Sequence, residues 1–139
     1  MATIALVSCV SKKCQYKTTA QNMYISPLFV RSLKYVNDIL KPNKTFILSA
    51  KYGLLEIDKE IEPYNETLND KNQKEKLTWA NNVMNQLRKE CNVNNDKFIF
   101  LAGKAYYEKL IEHLSNYEIL MQNLPIGKRL QWLKENLNE

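Results

Sequence analysis

Three short, continuous apolar runs stand out along the chain and look alike. They are "TIALVSC" at 3–9, "TFILSA" at 45–50 and "KFIFLAG" at 97–103. None of them alternates cleanly between apolar and polar residues, which is typical of strands covered on both faces in a parallel sheet. A further apolar run, "EILMQNL" at 118–124, is a candidate fourth strand. We therefore predict a mostly parallel sheet of about four strands.

Helical patterns separate these runs. Ser26 followed by Pro27 suits the first turn of a helix, because Ser can cap it and Pro fits its first position. A second helix is predicted to begin near Asp70, since Gln73 follows at capping-box spacing. The last two apolar runs are each followed by another helical pattern. This β-α alternation predicts one domain over 1–139, an α/β three-layer sandwich with right-handed crossovers.

The connection between the second strand and second helix is unusually long and polar. It runs over about nineteen residues, 51–69, and contains "KYGLL" and "EPYNETL". Connections of this length in a compact domain are usually functional or hold a short extra element. Its carboxylates Asp58 and Glu62 are candidate catalytic residues, because either could act as a general base over the strand ends. The alternative interpretation is an acidic, solvated loop.

The strand ends carry the residues best suited to a ligand. Ligands of open α/β sheets bind at the carboxyl ends of the strands, and here "SCVSKK", "SAKYG" and "AGKAYY" follow the three runs. Small residues allow a ligand to approach the backbone. Lysine supplies a point charge for phosphate, and tyrosine supplies a flat face for a base. We therefore expect one binding site at this edge, with Tyr106 of the third segment among its residues.

Each of these features also has a purely structural interpretation. Gly53 would suit a turn that needs a positive φ, and Gly103 would suit a helix cap. Tyr52 and Tyr64 would suit half-buried packing positions. Their convergence on one predicted edge of the sheet favours the ligand site.

Cys9 is open to two interpretations. A thiolate near lysines and a helix N-terminus could act as a nucleophile. The usual partner of such a nucleophile is histidine, and the chain's single histidine, His113, lies far along the third helical pattern. We therefore favour Cys9 as a small buried residue that lines a pocket.

Composition narrows the function classes only modestly. The formal net charge of +5 and the pI of about 9.0 favour an anionic partner such as nucleic acid or a nucleotide. Three cysteines and one histidine match neither a disulfide scaffold nor a zinc site, so we expect no metal site. We also expect no cofactor. The sequence shows no membrane span and no basic leader, so we expect a cytoplasmic protein without a membrane partner. The oligomeric state is left open.

The motifs "VSCVSKK", "MYISPLF", "ILSAKYGLL", "EPYNETL" and "LAGKAYY" occur in this order over nearly the whole chain. Together they resemble a family of small, poorly characterised bacterial, phage and plasmid domains. That family is distantly similar to the peroxide stress protein YaaA and to the uracil-DNA-glycosylase-like domain of archaeal tRNA-guanine transglycosylases. The resemblance implies a uracil-DNA-glycosylase-like or Rossmann-like fold that handles a base, nucleoside or nucleic acid.

The resemblance also implies a set of pocket residues by motif position. These are Ser8, Cys9, Lys13, Tyr24, Ser49, Lys51, Tyr52, Gly53, Tyr64 and Gly103. One position departs from the family, because Asn65 stands where an acidic residue often follows the Pro-Tyr of the loop. If that acid were the catalytic base, its absence would weaken an enzymatic interpretation.

Three functions follow as hypotheses. The first is a glycosylase-like enzyme acting at an N-glycosidic bond, with the base stacked on Tyr52 or Tyr64. In it, Lys13 and Lys51 would hold phosphate. The second is a non-catalytic module that binds a nucleotide or nucleic acid at the same edge. The third is a protein-interaction module anchored by an exposed Trp132, whose alternative role is to complete the core.

Overall fold

The computed structural model describes all residues, Met1–Glu139. The strands are β1 (Thr3–Ser8), β2 (Thr18–Thr19), β3 (Lys44–Ser49), β4 (Gly53–Glu56), β5 (Glu60–Ile61), β6 (Lys97–Leu101) and β7 (Tyr117–Ile119). The α-helices are α1 (Ala20–Met23), α2 (Pro27–Tyr35), α3 (Gln73–Glu90), α4 (Lys104–Tyr107) and α5 (Ile126–Asn136). A π-helical turn, Val36–Leu40, extends α2, and 3₁₀ turns occupy Leu68–Asp70 and Ile111–His113.

Five strands form the central sheet in the order β4-β3-β1-β6-β7. The pairs β3–β1, β1–β6 and β6–β7 are parallel, and only β4 at the edge is antiparallel. Val7 in the central strand pairs with Ile47 on one side and Leu101 on the other. The prediction of a mostly parallel α/β sandwich is therefore confirmed, with five strands instead of about four.

Helices flank the sheet because each parallel pair needs a crossover. Right-handed crossovers place α2, between β1 and β3, on the face opposite to α3, between β3 and β6. α2 packs against α5, whereas α3 packs against β4. The middle of β1, 4–7, is at most 1% exposed, because both faces are covered. No helix of the chain is both long enough and apolar enough to cross a membrane.

The long connection after β3 is largely ordered structure. It turns at Gly53, pairs β4 with β3, and then pairs β5 with β2 in a separate two-stranded ribbon. Gly53 has a φ of +73°, and a Cβ added there would lie 2.5 Å from Gln86 Oε1. The same Gln86 oxygen accepts a 2.9 Å hydrogen bond from the Leu54 amide. The structural interpretation of Gly53 as a turn residue therefore has direct support.

The helix starts test the capping predictions. Ser26 does cap α2, because its hydroxyl accepts a 3.2 Å bond from the Phe29 amide and Pro27 is the first helical residue. The predicted start of α3 near Asp70 is wrong by two residues. Asn72 is the cap, and its side chain and that of Glu75 bond reciprocally to each other's backbone amides. Asp70 instead ends a 3₁₀ turn whose first residue, Leu68, is fully buried.

Candidate functional site

A cavity of about 220 Å³ lies between the carboxyl ends of β1 and β6. After β1 the chain crosses to β3 on one side, and it later returns to β6 on the other side of β1. The connections therefore diverge at β1 and β6, which is the switch point where open α/β sheets bind ligands. We call this space the strand-end cavity. Its lining includes Ser8, Cys9, Thr67, Gly103, Tyr106 and Arg129.

Four residues expected at the site line this cavity together: Ser8, Cys9, Gly103 and Tyr106. Cys9 is buried, and its Sγ lies 3.4 Å from the Tyr106 hydroxyl. That hydroxyl also accepts a 3.2 Å bond from the Leu68 amide. Burial, followed by the nearby Cys9, raises the pKa of Tyr106, so its phenol is neutral over the physiological range. The expected role of Cys9 as a buried, pocket-lining residue fits this geometry.

A chain of three hydroxyl groups begins at Ser49, the last residue of β3. Ser49 Oγ is 2.8 Å from the Tyr64 hydroxyl, which is 2.6 Å from the Tyr24 hydroxyl. Ser49 Oγ already accepts bonds from the amides of Lys51 and Tyr52, at 3.3 and 3.0 Å. Both of its lone pairs are thereby used, so Ser49 donates to Tyr64, and either hydroxyl can donate in the bond between Tyr64 and Tyr24. Burial is the main cause that raises the pKa of both tyrosines.

Lys13 covers this hydroxyl chain from one side. Its backbone forms an antiparallel bridge with Tyr24, which fixes its position. The Lys13 ammonium lies 4.4 Å from the centre of the Tyr64 ring, within the range of a cation–π contact. Burial lowers the pKa of Lys13, and the nearby Cys9 acts in the opposite direction. The expected proximity of Lys13, Tyr24 and Tyr64 is thus present.

Tyr52 and Lys51 lie on the solvent side of Tyr64. The Tyr52 ring meets the Tyr64 ring edge-on, with centroids 5.5 Å apart and an interplanar angle of 85°. The Lys51 ammonium lies 5.3 Å from the Tyr52 ring centre. Because Tyr64 has its ring packed and its hydroxyl bonded, it is held as a structural element. Tyr52 is the tyrosine of the pair that carries no side-chain hydrogen bond.

The candidate catalytic carboxylates lie elsewhere. Asp58, Glu62 and Asn65 are exposed, and none of them lines the strand-end cavity. The carboxylate that does line it is Glu66, which pairs with Lys71 at 3.5 Å. The catalytic roles of Asp58 and Glu62 stay predictions.

Several contributors to this region were missed in the sequence. Arg129 reaches the cavity from α5, and Trp79 links the two parts of the site. The Trp79 indole donates a 2.8 Å bond to the Ser49 carbonyl and packs edge-on to the Tyr106 ring at 5.7 Å. A signal for Arg129 was present, because it lies four residues before the buried Leu133 and therefore on the same helix face.

A basic groove of about 390 Å³ adjoins the strand-end cavity. Its lysines are Lys51, at the end of β3, and Lys71 and Lys74, around the first turn of α3. We call it the lysine groove. Glu66 lines both the groove and the cavity, so the two spaces meet at that side chain.

A larger cavity, about 670 Å³, lies near the end of α3 and around the turn that leads into β6. Its lining includes Arg88, Cys91, Asp96 and His113, and this is the edge where the parallel strands begin. Ligands of open α/β sheets bind at the opposite edge, so volume alone does not identify the site. No group of three or more His, Cys, Asp or Glu side chains is arranged to hold a metal ion.

Trp132 has a packing role. Its ring meets that of Tyr35 at 5.1 Å between centroids, which joins α5 to α2. It is half-buried and lies against the core. The interpretation of Trp132 as a residue that completes the core has direct support.

Comparison with known proteins identifies the family of the chain. No curated protein matches it. A family model covers residues 4–135, nearly all of the strands and helices described above. The chain therefore belongs to the family of unknown function DUF6884.

Proposed function

We propose that the chain binds a nucleoside or nucleotide in the strand-end cavity. The single observation that supports this most strongly is the convergence of Ser8, Cys9, Gly103 and Tyr106 on one cavity at the switch point of the sheet. Small-molecule sites are typically concave, with a few polar groups that fix the ligand's orientation. This cavity has both properties.

The lining offers hydrogen-bonding groups suited to a base or sugar. The hydroxyls of Ser8, Ser11 and Thr67 and the amide of Asn69 lie around the cavity. Hydroxyls and amides both donate and accept, so they match the mixed donor and acceptor edges of a base. Tyr106 is fixed by Trp79 and by the Leu68 amide, so a ligand would meet a preorganised ring.

A second candidate function is cleavage of an N-glycosidic bond, and the observation that favours it is Glu66 in the cavity. In that reaction water attacks the sugar C1′, the C1′–N bond breaks, and its electron pair leaves with the base. Glu66 would take a proton from the attacking water, and the base nitrogen would gain a proton as it leaves. The motif resemblance given under Sequence analysis adds only an analogy of fold to this candidate, and such an analogy does not establish the reaction.

A nucleic-acid strand is the alternative form of the ligand. The lysine groove begins where the cavity ends, at Glu66, and Lys51 and Lys74 could contact the phosphates that flank a nucleotide held in the cavity. Binding of a strand would weaken steeply with salt, because each neutralised phosphate releases counterions. Binding of an uncharged nucleoside would not.

The test is thermal unfolding in the presence of bases, nucleosides, nucleotides and short single-stranded DNA and RNA. A ligand present at about 100 times its dissociation constant stabilises the folded state by about 2.7 kcal/mol. Each stabilising ligand is then recovered and weighed by mass spectrometry. Loss of the base identifies cleavage, and intact recovery identifies binding alone. Absence of stabilisation by every member would contradict the proposal.

A further inference from the structure

Arg129 is held at the strand-end cavity in a defined position. Its Nε donates a 2.7 Å bond to the Leu124 carbonyl, just before α5 begins. Its side chain is half-buried and lines the cavity. It also borders a small internal void lined mostly by apolar residues, among them Val7 and Leu101. The guanidinium therefore lies at an edge of the cavity with one of its nitrogens already bonded.

The charge of Arg129 is not neutralised by the protein. The chain has four ion pairs within 4.0 Å, and none includes Arg129. The cavity's carboxylate, Glu66, is paired with Lys71. A half-buried guanidinium without an anionic partner in the protein is available to an anionic ligand. The remaining amino groups form a planar fork suited to an oxyanion.

The surroundings of the guanidinium leave room for a ligand. A Cβ added to Gly103 would lie 4.0 Å from an Arg129 amino nitrogen, so the backbone of this glycine faces the guanidinium without a side chain between them. Ser8 and Ser11, whose hydroxyls can donate to an oxyanion, line the same cavity.

We propose that Arg129 forms a phosphate subsite within the strand-end cavity, so that the ligand is a phosphorylated nucleoside and not a free base or nucleoside. This inference rests on the proposed function and adds the class of ligand to it. The phosphate would bind between the guanidinium and the hydroxyls of Ser8 and Ser11, with the nucleoside directed toward Tyr106.

The experiment compares matched ligands on the unaltered protein by calorimetric titration: nucleosides, their 5′-monophosphates, ribose 5-phosphate and inorganic phosphate. We expect monophosphates to bind roughly tenfold to a hundredfold more tightly than the corresponding nucleosides, as hydrogen bonds to a charged group commonly contribute. Equal affinity for a nucleoside and its monophosphate would overturn the phosphate subsite and leave the proposed function standing.

Variants assign the effect to Arg129. Arg129→Gln should remove the preference for the monophosphate, and Arg129→Lys should restore only part of it, because lysine keeps the charge and loses the planar fork. Arg88→Gln is the control, because it removes the same charge from an exposed position at the far edge of the sheet. If Arg88→Gln lost the preference for the monophosphate to the same extent, the preference would reflect the net charge of the protein, and the subsite would be overturned.

The outcomes separate this inference from the proposed function. Tight, Arg129-dependent binding of ribose 5-phosphate or inorganic phosphate, with no gain from a base, supports the subsite and contradicts the nucleoside proposal. If no 5′-monophosphate binds more tightly than its nucleoside, the phosphate subsite is contradicted and the proposed function is not. Failure of all four ligand types to bind contradicts both.

Discussion

The hydroxyl groups of Tyr64 and Tyr24 lie 2.6 Å apart, although forty positions separate the two residues along the chain. This contact joins the connection after β3 to the segment before α2. It belongs to a hydroxyl chain that begins at Ser49, at the carboxyl end of β3. Side-chain hydrogen bonds therefore tie the end of β3, the connection after it and the segment before α2 to one another.

Replacing Tyr64 with Phe should destabilise the fold. The change removes one hydroxyl and leaves the hydroxyl of the buried Tyr24 without its partner, whereas Ser49 keeps the two amide bonds that it accepts. A buried polar group left unpaired costs roughly 1–3 kcal/mol. Urea unfolding should show a free energy of unfolding lowered by about that amount. Tyr16→Phe is the control, because Tyr16 is 70% exposed, and an equal effect of the two changes would argue against a stabilising role of the hydroxyl chain.

The tyrosines also predict a loss of stability in alkaline solution. Burial raises the pKa of Tyr24, Tyr64 and Tyr106, so the folded state favours their neutral forms. Above pH of about 10 these residues lose their protons in the unfolded chain and keep them in the folded one. The folded state then binds more protons, so the free energy of unfolding falls as pH rises, and the full contribution is present only below that pH.

Tyrosinate absorbance, followed together with unfolding, checks this expectation. Part of the tyrosine absorbance should appear only when the protein unfolds, and Tyr24→Phe should make the alkaline loss shallower. Lys13 has the opposite effect on the pH dependence of stability. Burial lowers its pKa in the folded state, so just below the usual lysine pKa the unfolded chain binds more protons at this residue, and the free energy of unfolding rises with pH. A Lys13→Met background removes that contribution. Tyrosines that all ionise while the protein stays folded would contradict the burial argument.

Gly53 offers a second test of the connection after β3. Gly53→Ala should destabilise the fold, because φ is +73° and the new Cβ would lie 2.5 Å from Gln86 Oε1. Strain of a non-glycine residue in this region costs roughly 1–3 kcal/mol. Gly127→Ala is the matched control, since nothing lies within 4 Å of its added Cβ and it belongs to α5. The control should be neutral or slightly stabilising, and chemical unfolding of both variants measures the difference.

Two substitutions distinguish the predicted start of α3 from the observed one. Asn72→Ala should lower the free energy of unfolding by about 1 kcal/mol, because it removes the side chain that accepts from the Glu75 amide. Asp70→Ala should have little effect, since Asp70 is exposed and does not cap the helix. The reverse order of effects would restore the start at Asp70.

The fold could be predicted from the sequence because its three inner strands are continuous apolar runs, which are typical of a doubly covered parallel sheet. β4 was missed because "GLLE" is only four residues long, and it becomes a strand because the turn at Gly53 brings it alongside β3. The start of α3 was misplaced because Asp70 with Gln73 and Asn72 with Glu75 have the same spacing. Burial of Leu68, a tertiary effect, holds Asp70 in a 3₁₀ turn outside the helix.

The site could be predicted only as far as the strand ends. Topology brings Ser8, Cys9 and Gly103 together wherever β1 and β6 are neighbours, so they were accessible to sequence reasoning. The hydroxyl chain was not, because nothing local relates Tyr24 to Tyr64. Glu66 was missed for the same reason, since its place at the cavity depends on how the connection after β3 packs against the strand ends. For Arg129 the shared helix face with Leu133 was a signal, but the packing of α5 at the cavity was not accessible from the sequence.

The carboxylates give the last prediction, which concerns the second candidate function. Glu66→Gln keeps the size of the side chain and removes its ability to accept a proton, so release of base should fall by roughly a hundredfold or more while ligand binding persists. The lost pair with Lys71 is partly exposed, so stability should change little. Glu62→Gln and Asp58→Asn are the comparisons, because both side chains are exposed and lie outside the strand-end cavity. If either comparison abolished base release while Glu66→Gln retained it, the catalytic group would be the loop carboxylate, and the loop would have to close over the cavity when the ligand binds.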